Sequence, residues 1–138
     1  FMPKPIFGVN GSGMHTHQSL YRDGRNAFFD EQAEWQLSAT CLHYIGGLQR
    51  YVPAAMVLVA PYVNSYRRYV PDFAAPINLE WGRDNRTTGL RIPISGPEAR
   101  RVENRLAGMD CNPYLGLPAS LACGPATRQT MRRVTPSS

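Results

Sequence analysis

Two histidines follow a glycine-rich turn near the start of the sequence, in the segment NGSGMHTHQS at residues 10–19. Residues two apart on an extended strand point to the same face, so His15 and His17 would address one site. A His-x-His pair on one face is a candidate half-site for a metal ion. The turn from Asn10 to Gly13 offers backbone N–H groups with little side-chain cover, as anion-binding nests do. The segment therefore predicts a site for a metal ion, an anion or both.

The basic side chains are almost all arginine, since Lys4 is the single lysine among 15 basic residues. A guanidinium binds carboxylate or phosphate through a planar fork of N–H groups. A GC-rich genome, which favours arginine codons, would also explain the excess of arginine over lysine. Six of these residues form three groups: Arg67 and Arg68, Arg86 and Arg91, Arg101 and Arg105. On an extended segment, Arg101, Glu103 and Arg105 share a face. That face is either a surface ion-pair ladder or part of a site that holds a cation and anions.

A metal ligand, several arginines and a glycine-rich turn are the components that phosphoryl transfer requires, because that chemistry rests on positioning and charge neutralisation. Two candidate ligands, His15 and Glu103, are too few for a complete metal site. The residues by themselves therefore predict an α+β protein with an arginine-rich site for anionic substrates.

Local patterns predict the elements that would position these residues. Alternating side chains predict strands at residues 2–7, 13–20, 76–82, 87–94 and 101–106, and Asp23-Gly24 predicts a hairpin turn. Helices are predicted at residues 31–50, with Asp30 as the cap, at 54–60 and at 112–123. A long loop at residues 62–76 contains two arginines and four aromatic residues, which favours a functional role.

Composition excludes several classes of protein. Three cysteines without CxxC spacing predict reduced thiols rather than disulfides or a zinc site, and hence a cytoplasmic protein. The sequence contains no apolar run of about 18 residues and no signal peptide at its N-terminus, so no membrane association is expected. The net charge of +5 would suit a nucleic-acid-binding module, but no motif of such a module is present.

Five segments are similar in order and spacing to glutamine synthetase catalytic domains: FMPKPIFGVNGSGMHTHQSL, NSYRRYVP, NRTTGLRIP, RVENR and NPYL. The resemblance covers residues 1–124 and implies part of an α+β catalytic domain. In that domain an antiparallel sheet forms an active-site cleft or partial barrel, with helices packed outside. Residues 125–138 do not match and are expected to be a disordered tail, such as a frameshift or truncation produces. Glutamates that complete the family's metal sites lie upstream of Phe1, so we expect an inactive fragment.

The resemblance implies a ligase that uses ATP to phosphorylate the γ-carboxylate of glutamate, after which an amine displaces phosphate. It implies Mg²⁺ or Mn²⁺ as cofactor, held by His15 and Glu103, and a parent enzyme that is a ring-shaped homo-oligomer. The remaining implied roles are glutamate binding by Asn10, Gly11, Arg68 and Arg105, ATP binding by His17, Ser19, Arg86 and Arg91, and catalysis by Arg86 and Arg68.

One departure from the family bears on the acceptor. Members that use ammonia carry a glutamate in the loop where this chain has Ala74, and alanine cannot take a proton; Asp72 lies two residues away. In the absence of this glutamate and in the segments NSYRRYVP and WGRDNRT, the chain resembles the γ-glutamylpolyamine (γ-glutamylputrescine) synthetase branch of the family. We therefore expect an organic amine such as putrescine as the acceptor. The alternatives are a true glutamine synthetase that uses ammonia and a catalytically dead or regulatory relative.

Overall fold

The structure is a computed structural model and describes residues 2–125. This part of the chain contains six short strands and three helices. The strands are β1 (Thr16–Gln18), β2 (Tyr21–Arg22), β3 (Arg25–Asn26), β4 (Trp81–Arg83), β5 (Leu90–Ile92) and β6 (Val102–Asn104). The helices are α1 (Ala39–Val59), α2 (Val63–Tyr66) and α3 (Pro113–Cys123), with a 3₁₀ turn at Glu34–Gln36 before α1. The predicted α+β class is confirmed. The predicted tail lies outside the described residues from position 126 onward.

Four of the strands form one sheet in the order β1-β6-β5-β4. β6 pairs antiparallel with both β1 and β5, but β4 and β5 run parallel, so the prediction of an antiparallel sheet is wrong for β4. The connection from β4 to β5 is stabilised locally by Asn85. Its side-chain Oδ1 accepts from the N–H of Thr87, and its backbone carbonyl accepts from the hydroxyl of Thr88. Gly89 lies so close to the carbonyl of Asn78 that any Cβ there would overlap it.

The two faces of the sheet differ in character. One face presents Leu90, Ile92 and Val102, which are fully buried against α1. The core there is completed by Trp81 and by the α1 residues Cys41, Tyr44, Ile45, Leu48 and Val52. The alternate residues of the same strands are charged, and they form the opposite face. Period-two alternation thus separates the apolar core from a polar site.

The hairpin of β2 and β3 has the predicted turn. Asp23 and Gly24 both adopt positive φ, at 51° and 76°, which a two-residue hairpin turn of the favoured twist requires. Asn26 then anchors the hairpin, since its side-chain amide donates to the carbonyls of Glu98 and Arg100.

The strand predicted at residues 2–7 is wrong, since these residues form bends and turns. Pro3 and Pro5 have no N–H to donate to a ladder. The main chain of Lys4 between them is bonded to a side chain instead: its N–H donates to Asn64 and its carbonyl accepts from the same amide group, at 2.8 and 2.9 Å.

The helix predicted at residues 31–50 begins eight residues later than expected. Asp30 accepts from the N–H of Gln32 in a local turn, and Trp35 adopts a positive φ of 53°. This conformation brings the ring of Trp35 edge-on to Trp81, with centroids 5.8 Å apart. Packing of the large ring therefore outweighs the local helix signal. Ser38 is the actual cap, because its Oγ accepts from the N–H of Cys41.

Helix α1 also continues through the position where a break was predicted. The separate helix predicted at residues 54–60 is the end of α1, which contains Pro53 in its interior. Pro53 is exposed, whereas Val52 and Val59 are buried on the core side. Burial of this face outweighs the hydrogen bond that proline removes. The helix predicted at 112–123 is confirmed, with Asn112 as the cap of α3. No helix within residues 2–125 has the length and apolar character needed to cross a membrane.

All three cysteines are free and buried, and Cys41 in α1 has no exposed surface. Burial raises the pKa of its thiol from 9.0 to about 12, with the charge of Arg100 opposing part of the effect. The folded protein therefore keeps the proton that the unfolded chain loses above pH 9. The free energy of unfolding should fall as pH rises from 9 to 12, by up to about 1.4 kcal/mol per pH unit for this group.

The Cys41→Ala variant is expected to lack this contribution and to show a shallower decline over the same pH range. Urea titrations at intervals between pH 8 and 10.5 would measure the two slopes. Leu42→Ala is a matched control, because that neighbour is 42% exposed and carries no titratable group. Equal slopes for the Cys41 variant and the parent chain would contradict this account of the buried thiol.

Candidate active site

Three neighbouring strands bring polar side chains to one face of the sheet. His17 in β1 lies directly opposite Glu103 in β6, which in turn lies opposite Arg91 in β5. His15 precedes β1 on the same face, and its Nδ1 lies 3.2 Å from Oε1 of Glu103. The expectation that His15 and His17 share a face is confirmed.

Glu103 is the centre of this face and is only 3% exposed. Its Oε1 accepts from Nη1 of Arg105 at 3.1 Å, and its Oε2 accepts from Nη1 of Arg91 at 2.8 Å. Arg91 also donates to Asp84 at the end of β4. For Glu103 and Arg105, the structure thus supports a buried charged site rather than a surface ion-pair ladder, with Arg91 of β5 as the second arginine in place of Arg101.

The protonation of this centre follows from its neighbours. Burial by itself would raise the pKa of Glu103, but the hydrogen bond from Arg91 and the positive charge of Arg105 outweigh it and hold the pKa below its usual value. For His15, burial and the charge of Arg105 lower the pKa, and the opposing effect of Glu103 is smaller. At neutral pH the site therefore contains a carboxylate and a neutral imidazole with a lone pair to donate.

A cleft of about 830 Å³ opens above Glu103. One side is formed by the sheet, and the other by the loop from Val70 to Asn78, which has no regular secondary structure. Predicted site residues in the lining are His15, Arg86, Arg91, Glu103 and Arg105. Positions that are 90 residues apart in the sequence thus meet in one cavity.

The lining of the cleft favours anions. It contains three arginines against two carboxylates, Asp72 and Glu103. Arg91 and Arg105 both bond to Glu103, but the ion pairs found within residues 2–125 do not include Arg86. The exposed guanidinium of Arg86 is therefore available to bind a carboxylate or phosphate from solution.

Comparison with known proteins gives the same family for nearly the whole chain. Residues 1–127 match the model of the glutamine synthetase catalytic domain. The chain belongs to this family. It is 48% identical over 124 residues to the glutamine synthetase of Thermus thermophilus and 51% identical over 126 residues to that of Streptomyces coelicolor. The Mycobacterium tuberculosis glutamine synthetase is 50% identical over 126 residues.

These three alignments each cover 90% of this chain but only 26–28% of the relative's length. The chain thus spans about a quarter of the curated relatives that it matches. All three relatives carry the plain name glutamine synthetase. Their names support the ammonia-using alternative better than the polyamine branch that the sequence predicted.

Part of the backbone of the turn at residues 10–13, which the sequence predicts to offer free N–H groups, is bonded within the protein. Ser12 donates its N–H to the carbonyl of Pro3 at 2.7 Å. A Cβ at Gly11 would overlap that same carbonyl, and a Cβ at Gly13 would lie 2.9 Å from a guanidinium nitrogen of Arg68. The glycines therefore permit close packing of the turn against its neighbours. The predicted contact of Gly11 with glutamate stays a prediction.

Arg68 lies beneath the turn and outside the lining of the cleft. It is 3% exposed, and its Nη2 donates to the backbone carbonyls of residues 105, 106 and 107 at 3.4, 2.9 and 3.2 Å. These bonds hold the segment that follows β6. The predicted roles of Arg68 in catalysis and glutamate binding stay predictions, since its guanidinium is bonded to the protein itself.

Asn10 and Arg105 converge on the loop that forms the far wall of the cleft. Oδ1 of Asn10 accepts from the N–H of Ala74 at 3.1 Å, and Nη2 of Arg105 donates to the carbonyl of Ala74 at 3.4 Å. Both predicted glutamate ligands therefore contact Ala74, the residue on which the prediction of the acceptor depends. No sequence pattern links Ala74 to either partner.

His17 in β1 and Ser19, which follows the strand, are exposed and lie outside the lining of the cleft. Nδ1 of His17 accepts from Nε of Arg101 at 3.1 Å, so Arg101 belongs to the same polar face. Sequence reasoning placed Arg101 on this face but gave it no role, and it gave none to Asp84. The predicted ATP contacts of His17 and Ser19 stay predictions.

The metal site implied for His15 and Glu103 is incomplete in this chain. The two side chains face each other, but both oxygens of Glu103 already accept from arginines. Within residues 2–125, no group of three or more histidine, cysteine, aspartate or glutamate side chains is placed to hold a metal ion. Mg²⁺ requires about six oxygen-type ligands, so these residues do not fit the ion on their own.

Proposed function

We propose that this chain, when completed by the parts of the family that it does not span, forms the active site of an ATP-dependent glutamate–amine ligase. The observation that supports this proposal best is that one cleft is lined by the buried Glu103, by its two partners Arg91 and Arg105, and by Arg86, which no ion pair within residues 2–125 includes. A cleft with excess positive charge suits a reaction between two anions, glutamate and a nucleotide triphosphate.

The proposed reaction has two steps. A γ-carboxylate oxygen of glutamate first attacks the terminal phosphorus of ATP, which forms γ-glutamyl phosphate and releases ADP. An amine nitrogen then attacks the carbonyl carbon, the bond to the phosphate oxygen breaks, and phosphate and a proton leave. The exposed Arg86 would bind the phosphoryl group in transfer, because negative charge accumulates there and no ion pair within residues 2–125 engages it. Mg²⁺ or Mn²⁺ is proposed for the completed site only.

Arg91 and Arg105 would act from fixed positions in this scheme. Glu103 holds one guanidinium from each side, so neither has to be ordered when the substrate binds. Arg91 is proposed to face ATP phosphates, and Arg105 the α-carboxylate of glutamate. The neutral imidazole of His15 is proposed as one ligand of the cation.

Two observations favour different acceptor amines. The names of the relatives favour ammonia. Ala74 favours an organic amine, since the wall of the cleft has no carboxylate at this position to bind ammonium and remove its proton. The neighbouring carboxylate of Asp72 lines the same cleft and is the nearest candidate for binding a cationic amine there.

The decisive measurement is phosphate release by the completed protein with glutamate, ATP and either ammonia or putrescine. If the acceptor is an organic amine, putrescine should give the higher kcat/KM. Ala74→Glu should then raise kcat/KM for ammonia by at least about tenfold, as expected for a positioned general base. Ala75→Glu is a matched control, since it adds the same charge one residue away. A strong preference for ammonia in the parent protein would establish the glutamine synthetase alternative.

The oligomeric state and the full fold are part of the same proposal. We infer that the completed protein assembles into a ring-shaped homo-oligomer and that the four-stranded sheet forms part of a larger partial barrel around the cleft. Sedimentation of the completed protein would test the first inference, because a monomer would contradict it.

A further inference from the structure

Lys4 is anchored through its main chain to α2. The N–H of Lys4 donates to Oδ1 of Asn64 at 2.8 Å, and Nδ2 of Asn64 donates back to the carbonyl of Lys4 at 2.9 Å. This pair of bonds fixes the backbone of a residue that lies between two prolines. The direction of its side chain is therefore set by the fold.

The side chain of Lys4 joins two separate segments near the cleft. Its ammonium lies 4.0 Å from the centroid of the Phe73 ring and donates to the carbonyl of Val9. Val9 directly precedes the turn at residues 10–13, and Phe73 belongs to the loop that lines the cleft. Lys4 itself is only 9% exposed, whereas Val9 is 47% exposed. A cation over the face of an aromatic ring is attracted by the negative charge of that face, and this attraction is stronger where water is excluded.

The residues that follow these two contacts also meet. Asn10, next to Val9, accepts from the N–H of Ala74, next to Phe73. The turn and the wall of the cleft are thus joined at two adjacent points, one made by Lys4 and one by Asn10. The wall itself has no helix or strand to fix it.

We propose that Lys4 is a positioning residue that holds Phe73 and Ala74 in the wall of the cleft through its contacts to Phe73 and Val9. This role goes beyond the proposed reaction and does not depend on which amine is the acceptor. A lysine suits the position because its compact ammonium has several donors and can serve a carbonyl and a ring face together. A methionine has about the same length but has no N–H group to donate to the carbonyl.

The ring contact can be tested directly because Lys4 is the only lysine in the chain. Labelling with ¹³C-lysine gives a single ε-methylene signal in NMR spectra of the 138-residue chain. The ring current of Phe73 should shift this signal upfield of its position in urea. Phe73→Leu should return it to that position, whereas Phe7→Leu, which alters a side chain that is 99% exposed, should leave it unchanged. An unshifted signal in the parent chain, or one that Phe73→Leu does not move, would overturn the proposal.

The positioning role is tested by hydrogen exchange of the Ala74 amide, which Asn10 protects. Lys4→Met should speed this exchange about tenfold, which corresponds to about 1.4 kcal/mol, while the amide of Leu90 in β5 should keep its rate. Lys4→Arg should restore slow exchange, since a guanidinium also binds a ring face and a carbonyl. If Lys4→Met speeds all amides through unfolding, Phe73→Leu decides the matter, because it should speed exchange at Ala74 alone. Unchanged exchange at Ala74 in both variants would contradict the role.

Discussion

The Glu103→Gln variant is expected to lower the free energy of unfolding by about 3 kcal/mol. Glu103 is 3% exposed and is the shared carboxylate of Arg91 and Arg105. An amide would leave two guanidinium groups close together without the negative charge that compensates them. Arg91 keeps its bond to Asp84, so the loss should fall at the lower end of the range for a broken buried ion pair. Urea unfolding followed by fluorescence of the buried Trp81 would measure it.

Glu98→Gln is the matched control for this experiment. Its side chain is exposed, and the same change of charge there should alter the free energy of unfolding by no more than about 0.5 kcal/mol. Equal midpoints for the Glu103 and Glu98 variants would show that the charged centre contributes nothing to folding. A selective loss in the Glu103 variant would show that the site and the sheet are stabilised by the same contacts.

Arg86→Gln is expected to reduce kcat of the completed protein by about 10²–10³-fold, as loss of one positioned charge-stabilising donor does in other enzymes. Arg86 is exposed in the lining of the cleft and takes part in none of the ion pairs found within residues 2–125. Its replacement should therefore leave the free energy of unfolding within about 0.5 kcal/mol of the parent value. Steady-state phosphate release would measure kcat and KM separately.

Arg83→Gln is the matched control, because Arg83 is also an exposed arginine and lies three residues before Arg86 but outside the lining of the cleft. It should leave kcat unchanged. If the two variants have the same kcat, Arg86 does not act on the transferring phosphoryl group. A rise in KM for ATP at constant kcat would instead indicate a role in binding the ground state only.

The relatives bear on the acceptor of this protein more than on its site. The motifs predicted the glutamine synthetase family, and the match over residues 1–127 confirms it. The polyamine prediction depended on Ala74 and on the two short segments NSYRRYVP and WGRDNRT. The relatives at 48–51% identity carry the name glutamine synthetase, which supports the other alternative. Five linked motifs identify a family reliably, whereas the choice of acceptor within the family requires an assay.

The sequence by itself determined the features that depend on local geometry. Alternation along a strand placed His15 and His17 on one face, and the same rule placed Arg101, Glu103 and Arg105 on one face. Asp23-Gly24 specified the hairpin, since both residues must adopt positive φ. These results follow from backbone geometry over a few residues, which packing did not override.

Tertiary structure decided every feature that depends on contacts between distant segments. The ring of Trp35 packs on Trp81 and delays the start of α1 until Ala39, despite a favourable cap at Asp30. Only the folded chain places Ala74 against Asn10, which lies 64 residues earlier. Local patterns cannot specify such contacts, because they depend on which apolar surfaces become buried together and on the loops that this burial closes.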